Sequence, residues 1–377
     1  MEFKVTESIE TVASGQWNAL EGTDNPFLRY EFLSALERYG CVGAHVGWLP
    51  RYLLAEDRPG SLIGAVPLYL KYNSFGEFVF DGSWVDAWER AGQHYYPKLV
   101  VAVPFSPVTG PRLLLKPGAD EAMVDELIQM TIRLARKGGI SSLHWLFPHQ
   151  KDRKRLANCG FLLRQGYQFH WHNRDYRDFN AFLETLTSKR RKEVRRERRQ
   201  AQTRGTEIKV IHGSEVTDLE WRAMYRFYRS TFNAKGNYPA LTLPFFKSLG
   251  QTMGQAVVLA LAVRAGAPIA GALYLRSQDT LYGRYWGCSE HLAGMHFELC
   301  YYCGLDYCIE HRLRCFEPGA QGEHKISRGF LPTLTWSAHW FKDPVFRAAV
   351  ADFITRERCL IKGTIIALEA GGPYRRS

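Results

Sequence analysis

The sequence predicts a mixed α/β protein made of two similar modules, and three observations carry that reading. The chain has 377 residues, and at about 150 residues per domain that length suits two domains. Short apolar runs alternate with helical patterns through both halves. A faint internal repeat pairs LIGAVPLYLKYNSFGEFVFDG (62–82) with PIAGALYLRSQDTLYGRYWG (268–287), each with LYL, a base, a turn and an aromatic strand ending in Gly. With 46% hydrophobic and 23% charged residues the chain is an ordinary globular protein rather than a disordered one. The opening MEFKVTESIETV has no apolar signal region, and runs such as VVLALAV (257–263) are only strand length. A soluble, cytoplasmic protein without an integral membrane segment is expected.

In chain order, helical spacing occurs at about 16–21, 28–39, 84–91, 120–137 and 149–158. Strand patterns lie between these at about 45–56, 61–71, 77–81, 98–103, 112–115, 140–147 and 167–173. Phe179, Phe182, Leu183 and Leu186 recur at helical spacing after Asp178, a candidate N-cap. This predicts a helix over 179–203, interrupted at Thr187-Ser188 and stopped by Gly205. Helices follow at 218–234 and 242–253, then three strands at 256–264, 268–276 and 280–287 turning at AGA and SQD. A helix at 295–311, a strand at 313–317 and a long helix from about 343 complete the chain. The expected division is a first module at 1–177, a basic connector helix at 178–204, and a second module at 205–377.

The net charge of +11 is concentrated in that connector. Lys189 to Arg204 holds nine Lys/Arg and two Glu, a local +7, which leaves +4 for the other 361 residues. A helix basic nearly all round is not held mainly by burial, and Glu193 and Glu197 relieve its repulsion only in part. It is either a solvated connector or a footprint for a polyanion such as RNA. In the second case Lys189, Arg190, Arg191, Lys192, Arg195, Arg196, Arg198 and Arg199 are the contact residues. An anionic membrane is the weaker partner, because the basic half offers only Val194 and Ala201 to an apolar layer.

Chemistry concentrates in 282–330. Tyr282, Arg284 and Trp286 alternate on a strand and so share one face, whose polar ends need partners when buried. Glu298 sits in an otherwise apolar helix, with Tyr302 one turn on, and must be paired, exposed or raised in pKa. Next comes a glycine-flanked loop after a strand, with Gln321, Glu323, His324, Lys325 and Arg328: a hydrogen-bond donor, bases and cations where scaffolded sites commonly lie. In the first half, Asp81, Trp84, Tyr95, Tyr96 and Lys98 either line a pocket or wedge an interface. The eight cysteines include Cys300, Cys303, Cys308 and Cys315 in one short stretch. No second ligand pair follows at zinc spacing, so they read as reduced core thiols and no metal is expected. There is no G-x-S-x-G, G-x4-GK[ST], G-x-G-x-x-G or HExxH, which removes the main supports for hydrolase, P-loop, dinucleotide and zincin readings.

YYPKL, VPFSPVTGPR, QFHWHN, SKRRKEVRRERR, LYGRYWG, HFELCYY and GAQGEHKISRGFLP occur in order. Together they resemble the FemAB-like peptidoglycan biosynthesis/recognition family of the GNAT acyltransferase superfamily. The resemblance implies two tandem GNAT-like modules and an N-acyltransferase. It also implies aminoacyl-tRNA as donor, with the basic helix on the tRNA backbone, and an amine acceptor that is a peptidoglycan precursor or small metabolite. No cofactor is implied. Acyl-CoA is the alternative donor, although Arg264–Gly271 misses the spacing of the acetyl-CoA pyrophosphate loop. A non-catalytic RNA or cell-wall-precursor binding protein is the third reading. For direct aminolysis of an ester, Glu298 or Glu323 is the expected base, with His324 as alternative. Lys325 and Arg328 are placed to hold an oxyanion or phosphate. Tyr282, Arg284 and Trp286 would line the acyl or acceptor pocket.

Overall fold

Near the C-terminus, the strand Leu331–Phe341 decides how the chain is divided. Its residues Ser337–Phe341 pair antiparallel with Ser142–Leu146, two hundred residues earlier. The computed structural model describes residues 1–202, 205–290, 292–320 and 322–375. It forms two compact units: residues 1–167 with 334–365, and residues 168–333 with 366 onward. The expected boundaries at 177 and 205 are therefore corrected. The first unit takes back a C-terminal strand and most of the last helix, and the basic helix lies inside the second unit.

In the first unit, Glu2–Thr6, Tyr52–Arg58, Ser61–Val66 and Leu114–Leu115 form one antiparallel sheet. In another, Ser142–Leu146 runs parallel to Lys98–Val101, which pairs with Leu68–Lys71 and then Trp48–Pro50. The helix Glu121–Lys137 is capped by Asp120 and buries Met123, Val124, Leu127, Ile128 and Ile132 along one stripe. That stripe packs on Leu53, Val66 and Trp145. Trp84 and Trp88 pack with Phe341, Val350 and Ile354, which is why the returning segment belongs here.

In the second unit, Thr206–His212, Val257–Arg264, Ala267–Arg276 and Thr280–Cys288 follow each other antiparallel. Cys315–Glu317 then runs parallel to Thr280–Tyr282 and antiparallel to Trp171 and His172. Helix Asp218–Ala234 starts with a capping box, Thr217 with Glu220, and buries Trp221, Met224, Phe227 and Tyr228. The expected helix over 179–203 is two helices, Phe179–Thr185 and Ser188–Ala201, broken close to the expected interruption and with Asp178 as N-cap. Strands Glu2–Thr6, Thr206–His212 and Leu331–Phe341 were not expected from the pattern.

The repeat also fails locally. Residues 77–81 form no strand, and Phe78 has φ +59°. The first-half LYLK strand pairs with Trp48–Pro50 and Lys98–Val101 instead of folding back as a hairpin. The irregular segment brings Glu77 and Asp81 to the fully buried Lys98, at 2.8 and 2.5 Å. Lys98→Met leaves two buried carboxylates without their cation. It is expected to cost about 3–5 kcal/mol, read from urea unfolding.

Candidate active site

The site in the second unit is built around the helix Ser188–Ala201, which has two faces. Val194, Glu197 and Ala201 form a buried stripe at positions i, i+3 and i+7. Lys189, Lys192, Arg195, Arg196 and Arg199 are exposed and, with Glu193, line a basic groove of about 520 Å³. The expectation of a helix basic nearly all round is corrected, since burial and ion pairing hold its inner face. Gly294, at φ +79°, sits where this helix is crossed: a Cβ there would lie 2.5 Å from the Glu197 carbonyl oxygen.

Adjacent residues of the helix carry opposite charges into the unit. Glu197 accepts hydrogen bonds from Arg328 Nε at 3.1 Å and Nη2 at 2.6 Å, and from the Tyr302 hydroxyl. Arg198 donates from Nη2 to Glu298 at 2.9 Å and from Nε at 3.2 Å, and reaches Asp306 at 2.7 Å. Burial pushes the Glu298 carboxyl up, and the Arg198 guanidinium opposes that shift. The helix segment around Glu298–Tyr302 is a π turn, with the Cys303 amide donating to the Glu298 carbonyl. The wider turn stacks Cys303 under Glu298, the thiol 4.0 Å from its carboxylate, and sends Tyr301 and Tyr302 to different partners.

Glu323–Arg328 is a short 3-10 turn between Gly322 and Gly329, both at positive φ. Arg328 closes it by donating to the His324 carbonyl at 2.6 Å, with its guanidinium 3.4 Å from the Phe297 ring centre. His324 Nε2 meets the Tyr301 hydroxyl at 2.8 Å, among Phe297, His296 and Tyr301. Burial and then the charges of Arg328 and Lys325 lower the His324 pKa, so its ring is neutral near pH 7. Lys325 is buried and donates to the Gly319 carbonyl at 2.6 Å; burial pushes its ammonium down to about 8. Glu323, His324 and Ser327 share a cleft of about 340 Å³ with Arg190, Ala367 and Leu368. Beside this turn, the parallel ladder between Thr280–Tyr282 and Cys315–Glu317 extends over three residues.

The structure separates some residues expected to act together. A bulge at Leu273/Tyr274 inserts one residue between Gly283 and Tyr285, so Tyr282 and Trp286 fall on opposite faces of the strand. Tyr282 is buried beside Glu317, Trp286 lies against His296, and Arg284 sits in the bulge over the Tyr285 ring. Tyr302 is tied to Glu197. Gln321 lies outside the described residues. Of the expected RNA contacts, Arg198 faces inward, Arg190 pairs with Glu193 at 2.8 Å, and Arg191 donates to Ser188 at 3.3 Å. Glu298, with its carboxylate bound by Arg198, is an anchor rather than a free base. Glu323 is exposed and His324 is positioned by Tyr301.

Asp81, Tyr95 and Lys98 do converge in the first unit, but on one another. The Tyr95 hydroxyl donates to Asp81 at 2.8 Å and lies 3.2 Å from His144 Nε2, and His144 Nδ1 lies 2.7 Å from His339 Nδ1. Trp84 stacks edge-on to His339, and the Tyr96 hydroxyl meets Ser74 at 2.8 Å. Asp81, Tyr95 and Lys98 thus satisfy one another inside the unit, while Tyr96 is only half-buried. Sequence reasoning missed Glu197, whose partner Arg328 lies 131 residues away. The only signal for it was an acid at i+3 from Val194 within a basic run.

Both units are mixed α/β, and the turn and helix of the second unit bring together a histidine, a buried lysine and two ion pairs. The FemAB-like family, described as peptidoglycan biosynthesis/recognition, matches residues 8–376, and the chain belongs to that family. Among solved structures, FemX is 11% identical over 93% of this chain and 100% of its own, with a TM-score of 0.53. L-PGS from Bacillus licheniformis is 12% identical over 88% of this chain and 96% of its own, also with a TM-score of 0.53. At these identities the likeness is one of fold. No curated protein matches the chain. No helix among the described residues is long and apolar enough to cross a membrane.

Proposed function

We propose that the protein transfers an aminoacyl group from aminoacyl-tRNA to an amine acceptor, a peptidoglycan precursor or small metabolite, by direct aminolysis. One observation carries this reading. The helix that ties Glu197 and Arg198 to the Arg328 turn and to Glu298 turns Lys189, Lys192, Arg195, Arg196 and Arg199 outward. A rigidly mounted row of cations beside a catalytic turn suits a nucleic-acid-borne donor. The acceptor nitrogen attacks the ester carbonyl carbon, and neutral His324 takes the proton that nitrogen loses. Charge gathers on the carbonyl oxygen, where the Lys325 ammonium opposes it. The ester C–O bond then breaks, and the proton passes from His324 to the leaving ribose oxygen. Such a donor places the reaction in the cytoplasm.

The test is incubation with charged tRNA, acetyl-CoA and a set of amines, with products read by mass. Aminoacylated amine formed only with charged tRNA supports the proposal; acetylated amine alone would assign acyl-CoA as donor and overturn it. Arg195→Gln, Arg196→Gln and Arg199→Gln together are expected to weaken tRNA binding. They should also flatten its dependence on log salt by about 0.9 for each phosphate no longer neutralised. Binding insensitive to salt contradicts the role given to this face.

A further inference from the structure

We propose that His170, Cys315 and Glu317 form a binding site for one divalent transition metal ion of the zinc class. The donor atoms of these three residues lie within 4.8 Å of one another. The strand register explains why. Cys315 faces His172 and Phe316 faces Trp171 in the antiparallel ladder, so one step on Glu317 faces His170. Opposed residues and those two apart share a face, which sets Cys315, Glu317, His170 and His172 side by side. His170 and Glu317 are buried and Cys315 is half-buried. His172, exposed on the same face with its ring 6.4 Å from that of His170, marks the way in from solvent.

The donor set suits the ion. Thiolate, imidazole and carboxylate together favour borderline metals over magnesium or calcium. Donors around a tetrahedral zinc at bond lengths of about 2.0–2.3 Å stand roughly 3.5 Å apart, so side-chain shifts of about 1 Å close the site. One thiolate and one carboxylate balance the two charges of the ion itself. Gln168 Oε1 lies 3.3 Å from His170 Nε2, a polar contact to the ring from the same strand. On binding, Cys315 releases its proton to solvent as the metal–sulfur bond forms, so affinity rises with pH. Three protein donors leave a fourth position open. None of this depends on the donor or acceptor of the acyl transfer.

The test uses the full chain, stripped with a chelator and titrated with cobalt(II). One equivalent is expected to bind and to give the near-ultraviolet thiolate-to-cobalt charge-transfer band. Cys315→Ser is expected to abolish the band, and Cys359→Ser, an exposed cysteine, to keep it. His170→Gln and Glu317→Gln, checked for native circular dichroism, are each expected to weaken binding about tenfold or more. Zinc should displace the cobalt and bleach the band. A band that survives Cys315→Ser, or cobalt bound with no thiolate band, is adventitious binding and overturns the proposal.

Discussion

Replacing Lys325 by methionine is expected to lower acyl-transfer turnover by about 10²–10³ without lowering stability. The two readouts part because of where the ammonium lies. Burial pushes it from 10.5 down to about 8, so the folded protein disfavours the charged form. Between those values the unfolded chain binds more protons than the folded one, so this group's contribution to stability rises with pH and its cost is fully present below about 8. Methionine removes that cost along with the charge. If the ammonium faces the developing oxyanion, turnover should also fall as pH rises through about 8. That alkaline limb should vanish in Lys325→Met and move upward in Lys325→Arg. Pre-steady-state transfer across pH, beside thermal unfolding of the same variants, checks both. A variant with normal turnover, or with lost turnover and an equally lowered Tm, defeats the assignment.

Glu197→Ala is expected to destabilise the protein by about 3–5 kcal/mol, several times more than any single change among the exposed cations of the same helix. Glu197 is the acceptor for two guanidinium nitrogens of the buried Arg328, and for the Tyr302 hydroxyl. Removing it strands a buried guanidinium without its anion. The loss reaches the turn that carries His324 as well, because the same Arg328 donates to the His324 carbonyl. Urea unfolding of Glu197→Ala against Arg195→Ala, with turnover of each, measures the difference. Arg195, exposed on the outer face, should shift stability by no more than about 0.5 kcal/mol. Equal effects of the two would mean the inner face does not anchor the helix.

The periodic elements were legible because their signals are local. The helix Glu121–Lys137 and the strands Val257–Arg264 to Thr280–Cys288 match their apolar patterns within a residue or two. The break between Phe179–Thr185 and Ser188–Ala201 could be read from Thr187-Ser188. What could not be read is settled by partners distant in sequence. Leu331–Phe341 is a strand because Ser142–Leu146 lies open to it. The face carrying Trp286 is set by a bulge opposite Leu273/Tyr274 that no pattern within the strand records. Lys98 and Asp81 were visible as polar residues, but nothing local says that they meet each other instead of a ligand. The loop with Glu323, His324 and Lys325 was legible as chemistry, whereas the anchoring of Glu298 by Arg198 needs the fold.

The two neighbouring residues Glu197 and Arg198 work as a keyed plug. The acid finds Arg328 and the base finds Glu298, so the helix seats in one rotation only. Exchanging the pair, Glu197→Arg with Arg198→Glu, leaves composition, net charge and helix propensity almost unchanged. It nevertheless sets arginine against arginine and glutamate against glutamate. The charge total of this segment is thus uninformative about its seating, and the order of two letters fixes which cations remain outside to meet a partner.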